Sequence, residues 1–140
     1  RSDFPGDMHF EIGRSDPGTD WNYLQPAIVK GESEPTSAVV TFDVDSTLHG
    51  DPVLTVVAGG RSARLEVLVN AEKIGDLRID NIGLQHIRTV PYGELTVHRY
   101  RFDRSLLHKE GNRLTLRFDG TRQAWTKYIA YDFLRMELVP

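Results

Sequence analysis

Apolar residues return at every second position along most of this chain, the spacing of strands with one face on a core. In 63–70, ARLEVLVN, Leu65, Val67 and Val69 share one face and Arg64 and Glu66 the other. In 112–119, NRLTLRFD, Leu114, Leu116 and Phe118 alternate with Arg113, Thr115 and Arg117. In 97–103, Tyr100 and Phe102 alternate with Arg99 and Arg101, and in 38–45 Val40, Phe42 and Val44 line up. The run 52–58, PVLTVVA, is dense in apolar residues, and Gly59-Gly60 is expected to end it. Shorter strands are predicted over 9–13 and 73–79, and a last one over 129–138. Glycine, proline and asparagine punctuate these segments as turns. The one helical turn predicted is 103–108, DRSLLH, with Asp103 as N-cap. About eight short strands without a long amphipathic helix predict an all-β fold, an antiparallel β-sandwich. The stretch 30–37, KGESEPTS, reads as a polar loop inside one domain spanning 1–140.

The last strand carries an anomaly. In YDFLRMEL, a period of two puts Asp132 on the face of Leu134, Met136 and Leu138, with Tyr131, Phe133, Arg135 and Glu137 opposite. A carboxylate aimed at a core must accept hydrogen bonds, meet a cation or hold a metal.

Composition narrows the function classes. The 140 residues are enough for one core, and a net charge of −3 argues against a nucleic-acid partner. Without cysteine there is no disulfide, thiolate site or cysteine nucleophile. No apolar run reaches the roughly 20 residues of a membrane helix. No segment reads as a signal peptide, and the chain opens on Arg1, so it is expected to be a mature product or an excised module.

Catalytic patterns are missing as well. There is no Gly-Xaa-Ser-Xaa-Gly elbow and no phosphate-binding glycine loop, and the five histidines are scattered without zinc spacing. Strand carboxylates that meet in space are distant in sequence, so a catalytic pair is not legible from spacing. The expectation is a protein that is not itself an enzyme.

Four segments, taken in order, resemble the C-terminal domain of family 4 polysaccharide lyases, the rhamnogalacturonan lyases. They are FEIGRSDPGTDWNYLQ (10–25), AVVTFDVD (38–45), LEVLVN (65–70), and LLHKEGNRLTLRF running into YIAYDFLRMEL (106–138). The resemblance implies a jelly roll like a carbohydrate-binding module. In that family the lyase chemistry sits in a separate, larger domain for which this chain has no room, so no catalytic residue is carried over. It also implies a secreted, extracellular or periplasmic protein of a pectin-degrading system. Its partners would be a polysaccharide and a catalytic domain in a longer parent chain. No cofactor is required. A structural calcium, which sugar-binding jelly rolls often hold, would suit Asp132 with Glu11 nearby. The alternative is that Asp132 accepts backbone or tyrosine hydrogen bonds with no metal.

Sugar rings present flat C–H faces, so aromatic platforms beside polar groups are the candidate sites. Trp125 stands among Arg122, Gln123, Lys127 and Tyr128. His86, Arg88 and Tyr92 form a second group, in which Arg88 suits the carboxylate of a uronate. Trp21, between Asp20 and Asn22, is a third candidate, balanced against a role in packing a sandwich edge. The outward arginines Arg64, Arg99, Arg101, Arg113 and Arg117 would form a positive stripe if their strands were neighbours. Cross-strand pairing with Glu66 and other carboxylates is the plainer reading.

Overall fold

The structure is a computed structural model and describes residues 8–20, 27–29, 32–34, 36–45, 47, 49–61, 63–79, 95–118 and 128–140. Its elements in order are β1 (Met8–Glu11), α1 (Pro17–Asp20), β2 (Ala27–Val29), β3 (Glu32–Glu34), β4 (Ser37–Phe42) and β5 (Asp51–Arg61). They continue with β6 (Ala63–Val69), β7 (Glu72–Ile79), β8 (Thr96–Arg101), a 3-10 turn at Arg104–Leu106, β9 (Asn112–Phe118) and β10 (Tyr128–Val139). A five-stranded sheet, β1-β4-β9-β6-β7, faces a three-stranded sheet, β10-β5-β8, and β2 and β3 pair separately. The fold is an all-β sandwich of the jelly-roll kind.

The alternation written in the sequence becomes the core. Leu65, Val67 and Val69 of β6 and Leu114, Leu116 and Phe118 of β9 are buried together with Ala38, Val40, Leu77 and Ile79. Leu54, Val56 and Ala58 of β5 close on them from the other sheet, and Phe10, Tyr100, Phe102, Leu134 and Met136 pack around the rim. Each such aliphatic or aromatic side chain contributes about 1.5–3 kcal/mol relative to leaving it in water.

Several expectations are corrected. Strand β5 does not stop at Gly59-Gly60: Gly60 pairs with Ile129 and Gly59 with Ala130, so the ladder to β10 satisfies their backbone groups. Part of the polar stretch 30–37 forms β3, paired with β2 from Val29↔Glu32 to Ala27↔Glu34, and Ser37 opens β4. The sheets are antiparallel except at one edge, where β1 runs parallel to β4 from Met8↔Ala38 to Glu11↔Thr41. The loop after β1 contains one helical turn, α1, entered through Asp16, whose Oδ1 accepts from the Gly18 N–H at 2.8 Å. The predicted turn at Asp103 is present as a 3-10 turn, with the Asp103 carboxylate accepting from the Ser105 N–H at 2.8 Å.

The two poles of the sandwich differ. At the first pole β6 and β8 begin and β5, β7 and β9 end, with Ala63 opposite Ile79, Leu65 opposite Phe118, and Ala58 opposite Thr96. β10 also begins there, with Tyr128 opposite Arg61. At the second pole two asparagines tie three segments together. Asn70 and Ala71 carry the positive φ values (49° and 72°) of the tight β6–β7 turn. The Asn70 amide donates to the Leu106 carbonyl at 2.6 Å and to Asn112 Oδ1 at 3.0 Å, and its Oδ1 accepts from the Arg113 N–H at 2.8 Å. Asn112, 0% exposed, accepts from the His108 N–H at 2.8 Å and donates to the carbonyls of His108 (2.7 Å) and Phe42 (3.3 Å).

Candidate functional site

The first pole gathers the two segments richest in candidate chemistry. Segment 80–94, with His86, Arg88 and Tyr92, leaves Ile79 at the end of β7 and rejoins the described chain just before β8. Segment 119–127, with Arg122, Trp125 and Lys127, leaves Phe118 at the end of β9 and rejoins at β10. All six residues lie outside the described residues, but both segments are tethered at each end to this one pole. Tyr128 is placed by its backbone, opposite Arg61 at the start of the β10 ladder. Trp21 also lies outside the described residues. It follows directly on α1, which packs against β1, the strand that ends at the second pole.

Electrostatics at the first pole are cationic on the five-stranded side. Arg64 and Arg78, both exposed, stand directly opposite each other on β6 and β7. One row further in, the same face is neutralised. Glu66 accepts from Arg117 Nη2 at 2.7 Å and meets Lys73 Nζ at 3.4 Å, and Lys73 reaches Asp76 at 2.8 Å. The hydrogen bond from Arg117 holds the Glu66 carboxyl below its ordinary value, and the bond to Asp76 raises that of Lys73. The plainer reading of the outer arginines therefore holds for Arg117. The single stripe does not form: Arg64, Arg113 and Arg117 belong to the five-stranded sheet, Arg99 and Arg101 to β8 of the other.

The sandwich edge between β7 and β8 is polar. The Tyr100 hydroxyl donates to the Asp76 carbonyl at 2.9 Å, and burial, with Asp76 adding repulsion, pushes the phenol up to about 12. Thr96 Oγ1 donates to the Ala58 carbonyl at 3.1 Å and lies 2.8 Å from His98 Nε2. A hydroxyl that spends its proton on Ala58 must accept from His98, which assigns the proton to Nε2 and leaves Nδ1 an acceptor. Burial lowers the His98 pKa from the ordinary 6.5. The unfolded chain then binds a proton before the folded one as pH falls, so stability drops as pH decreases below about 6.5. Replacing His98 with glutamine should flatten the melting temperature between pH 7 and pH 5, checked by thermal melts across that range.

The chain matches the model of the carbohydrate-binding-module-like domain of polysaccharide lyases, family 4 domain III, over residues 2–136. The chain belongs to that family. No curated protein matches it. The domain's model therefore spans both sheets and both poles. Among the described residues no helix is long and apolar enough to cross a membrane, and no group of three or more metal-ligating side chains comes together.

The two candidate calcium ligands fare differently. Glu11 Oε1 pairs with Arg14 Nη1 at 3.2 Å. Asp132 sits where the β10–β5 register steps from Tyr131↔Ala58 to Phe133↔Val57, so it has no ladder partner of its own. The count of two that joins it to Leu134 is interrupted at that step, and its side chain lies outside the described residues. Sequence reasoning gave neither Asn70 nor Asn112 a role, although Asn70 closes the quoted segment LEVLVN and Asn112 opens NRLTLRF. Their signal was an asparagine at the end of an alternating strand, for Asn112 in line with its apolar face.

Proposed function

We propose that this domain binds an acidic plant polysaccharide, of the rhamnogalacturonan or pectin type, and does not cleave it. The observation that carries this reading is the family match over residues 2–136, whose description is a carbohydrate-binding-like domain of a polysaccharide lyase. The ligand lies at the first pole. Trp125 and Tyr92 supply faces for sugar C–H groups, while Arg88, Arg122 and Lys127 meet uronate carboxylates, with Arg64 at the adjoining sheet end. Tyr128 and His86 complete the polar rim, and Trp21 is the remaining aromatic candidate. Affinity is expected in the millimolar to micromolar range, about −4 to −8 kcal/mol. The domain works outside the cell or in the periplasm beside a catalytic domain, and any calcium at Asp132 is structural.

Calorimetric titration with rhamnogalacturonan fragments, beside a thermal melt, tests the site. Trp125→Ala should weaken binding by about 1–3 kcal/mol if its ring stacks on the sugar. Unchanged affinity in a folded variant removes Trp125 from the site and turns attention to Trp21 and Tyr92. The clean protein should produce no unsaturated-uronate absorbance on incubation with the polymer. A second reading, an accessory domain that packs on the catalytic domain and binds no sugar alone, is favoured by the exposure of Leu95 (47%), just before β8, and Val97 (56%) on it.

A further inference from the structure

The outer face of the three-stranded sheet holds two cations, Arg99 and Arg101, that no carboxylate among the described residues matches. Register sets Arg135, Thr55 and Arg99 in one row across β10, β5 and β8. The next row toward the second pole is Glu137, Val53 and Arg101, and the next toward the first pole is Phe133, Val57 and Val97. Neighbouring strands lie about 4.8 Å apart, so the two arginines of the central row are rooted about 10 Å from each other. Arg135 pairs with Glu137 at 2.5 Å. Among the described residues no carboxylate pairs with Arg99 or Arg101, both of which are exposed. Between the arginines Thr55 is only 6% exposed, and among the described residues its hydroxyl makes no hydrogen bond. A buried hydroxyl without a partner opposes folding unless something supplies one. On the opposite sheet Glu66 pairs with both Arg117 and Lys73, whereas no such carboxylate meets Arg99 or Arg101 among the described residues.

We propose that the row Arg99–Thr55–Arg135, with Arg101 beside it, is a carboxylate-binding subsite for an acidic glycan. A guanidinium takes a carboxylate by two parallel hydrogen bonds. Arg99 offers that grip, Arg101 adds a second cation about 7 Å along the same strand face, and beneath them lies the Thr55 hydroxyl, without a hydrogen bond among the described residues. Val97, exposed in the adjoining row, gives the C–H face of a neighbouring ring an apolar contact. The inference rests on the proposed polysaccharide ligand but places a second contact on the sheet face. The two sites adjoin in sequence: Arg101, Arg99 and Val97 on β8, and Leu95 before it, run back from the subsite toward the first pole. A long acidic chain would occupy both, a short one only the pole.

Calorimetry on the whole chain, with long and short oligogalacturonates and with uncharged dextran at two salt concentrations, tests this. The double variant Arg99→Gln, Arg101→Gln should bind long oligogalacturonate about tenfold more weakly, with a flatter salt dependence. Its affinity for the short oligomer should be unchanged. Thr55→Val should also weaken the long ligand while leaving the melting temperature unchanged or higher, because it removes a buried hydroxyl that bonds no described residue. A purely structural threonine would move the melt alone. If both variants bind long oligogalacturonate like the unaltered protein while Trp125→Ala weakens it, the subsite is overturned and the polar site stands. If the unaltered protein binds no oligogalacturonate, both fall. Unchanged glycan affinity with lost binding to the catalytic domain of a family 4 lyase overturns the proposal and reassigns the face to a protein partner.

Discussion

Asn112→Ala is expected to lower the unfolding free energy by about 3 kcal/mol, one of the largest effects of any single side chain in the domain. Asn112 is fully buried and uses its whole amide, accepting from His108 and Asn70 and donating to the carbonyls of Phe42 and His108. Truncation removes these bonds and strands four partners, three of them backbone groups, where water cannot easily replace them. The loss reaches three segments that are remote in sequence: the end of β4, the turn after β6, and the loop entering β9. Asn70→Gly separates the contributions. It keeps the positive φ that the turn requires but removes the side-chain bonds to Leu106 and Arg113, so it should cost about half as much. Urea denaturation gives the two free energies. Hydrogen exchange should show the His108 amide losing protection in Asn112→Ala and the Arg113 amide in Asn70→Gly. An Asn112→Ala protein as stable as the original would show that the amide network contributes nothing net.

This network also marks where local pattern stops being informative. The alternation in β6 and β9 is legible because a strand on a core writes its two faces into consecutive residues, and Leu65, Val67, Leu116 and Phe118 are buried as that pattern requires. The Asp103 cap is equally local, since donor and acceptor lie two residues apart. Asn70 and Asn112 meet across 42 positions, and nothing near either residue announces the other. The arginines show the same limit. Sequence assigns Arg99 and Arg117 correctly to the outer faces of their own strands, yet which sheet each strand joins is decided by distant pairings, and those put them on opposite sides of the sandwich. Gly59-Gly60 reads as a break because glycine weakens an isolated strand, whereas pairing with Ile129 and Ala130 keeps it in the ladder. Thr55 was visible as the one polar residue in an apolar run. Its isolation between two arginines was not, because register with β8 and β10 creates it. The gathering of 80–94 and 119–127 at one pole likewise follows from strand directions, not from any motif within either segment.

Gly50→Ala is expected to cost about 3 kcal/mol or more, and a matched substitution at Gly111 shows why. Both glycines have positive φ, 125° at Gly50 and 69° at Gly111. At Gly111 an added Cβ meets nothing within 4 Å, so alanine there bears only the conformational penalty, about 1–2 kcal/mol. At Gly50 the same Cβ would lie 2.5 Å from the Val139 carbonyl oxygen and 2.6 Å from its carbon. Those are backbone atoms at the end of β10, held by pairing with Asp51 at the start of β5, and they cannot rotate away as a side chain would. Relief requires β10 to slide or its last residues to peel from β5. Both movements disturb the three-stranded sheet that aligns Arg135, Thr55 and Arg99. Gly50→Ala should therefore lower the melting temperature more than Gly111→Ala. It should also weaken long acidic oligosaccharides in the fraction that remains folded, whereas Gly111→Ala leaves that affinity intact. Paired denaturant titrations and calorimetry measure both quantities. Equal destabilisation at the two sites would mean that β10 does not press on Gly50 in solution, and its last turn of pairing would then have no part in aligning the arginine row.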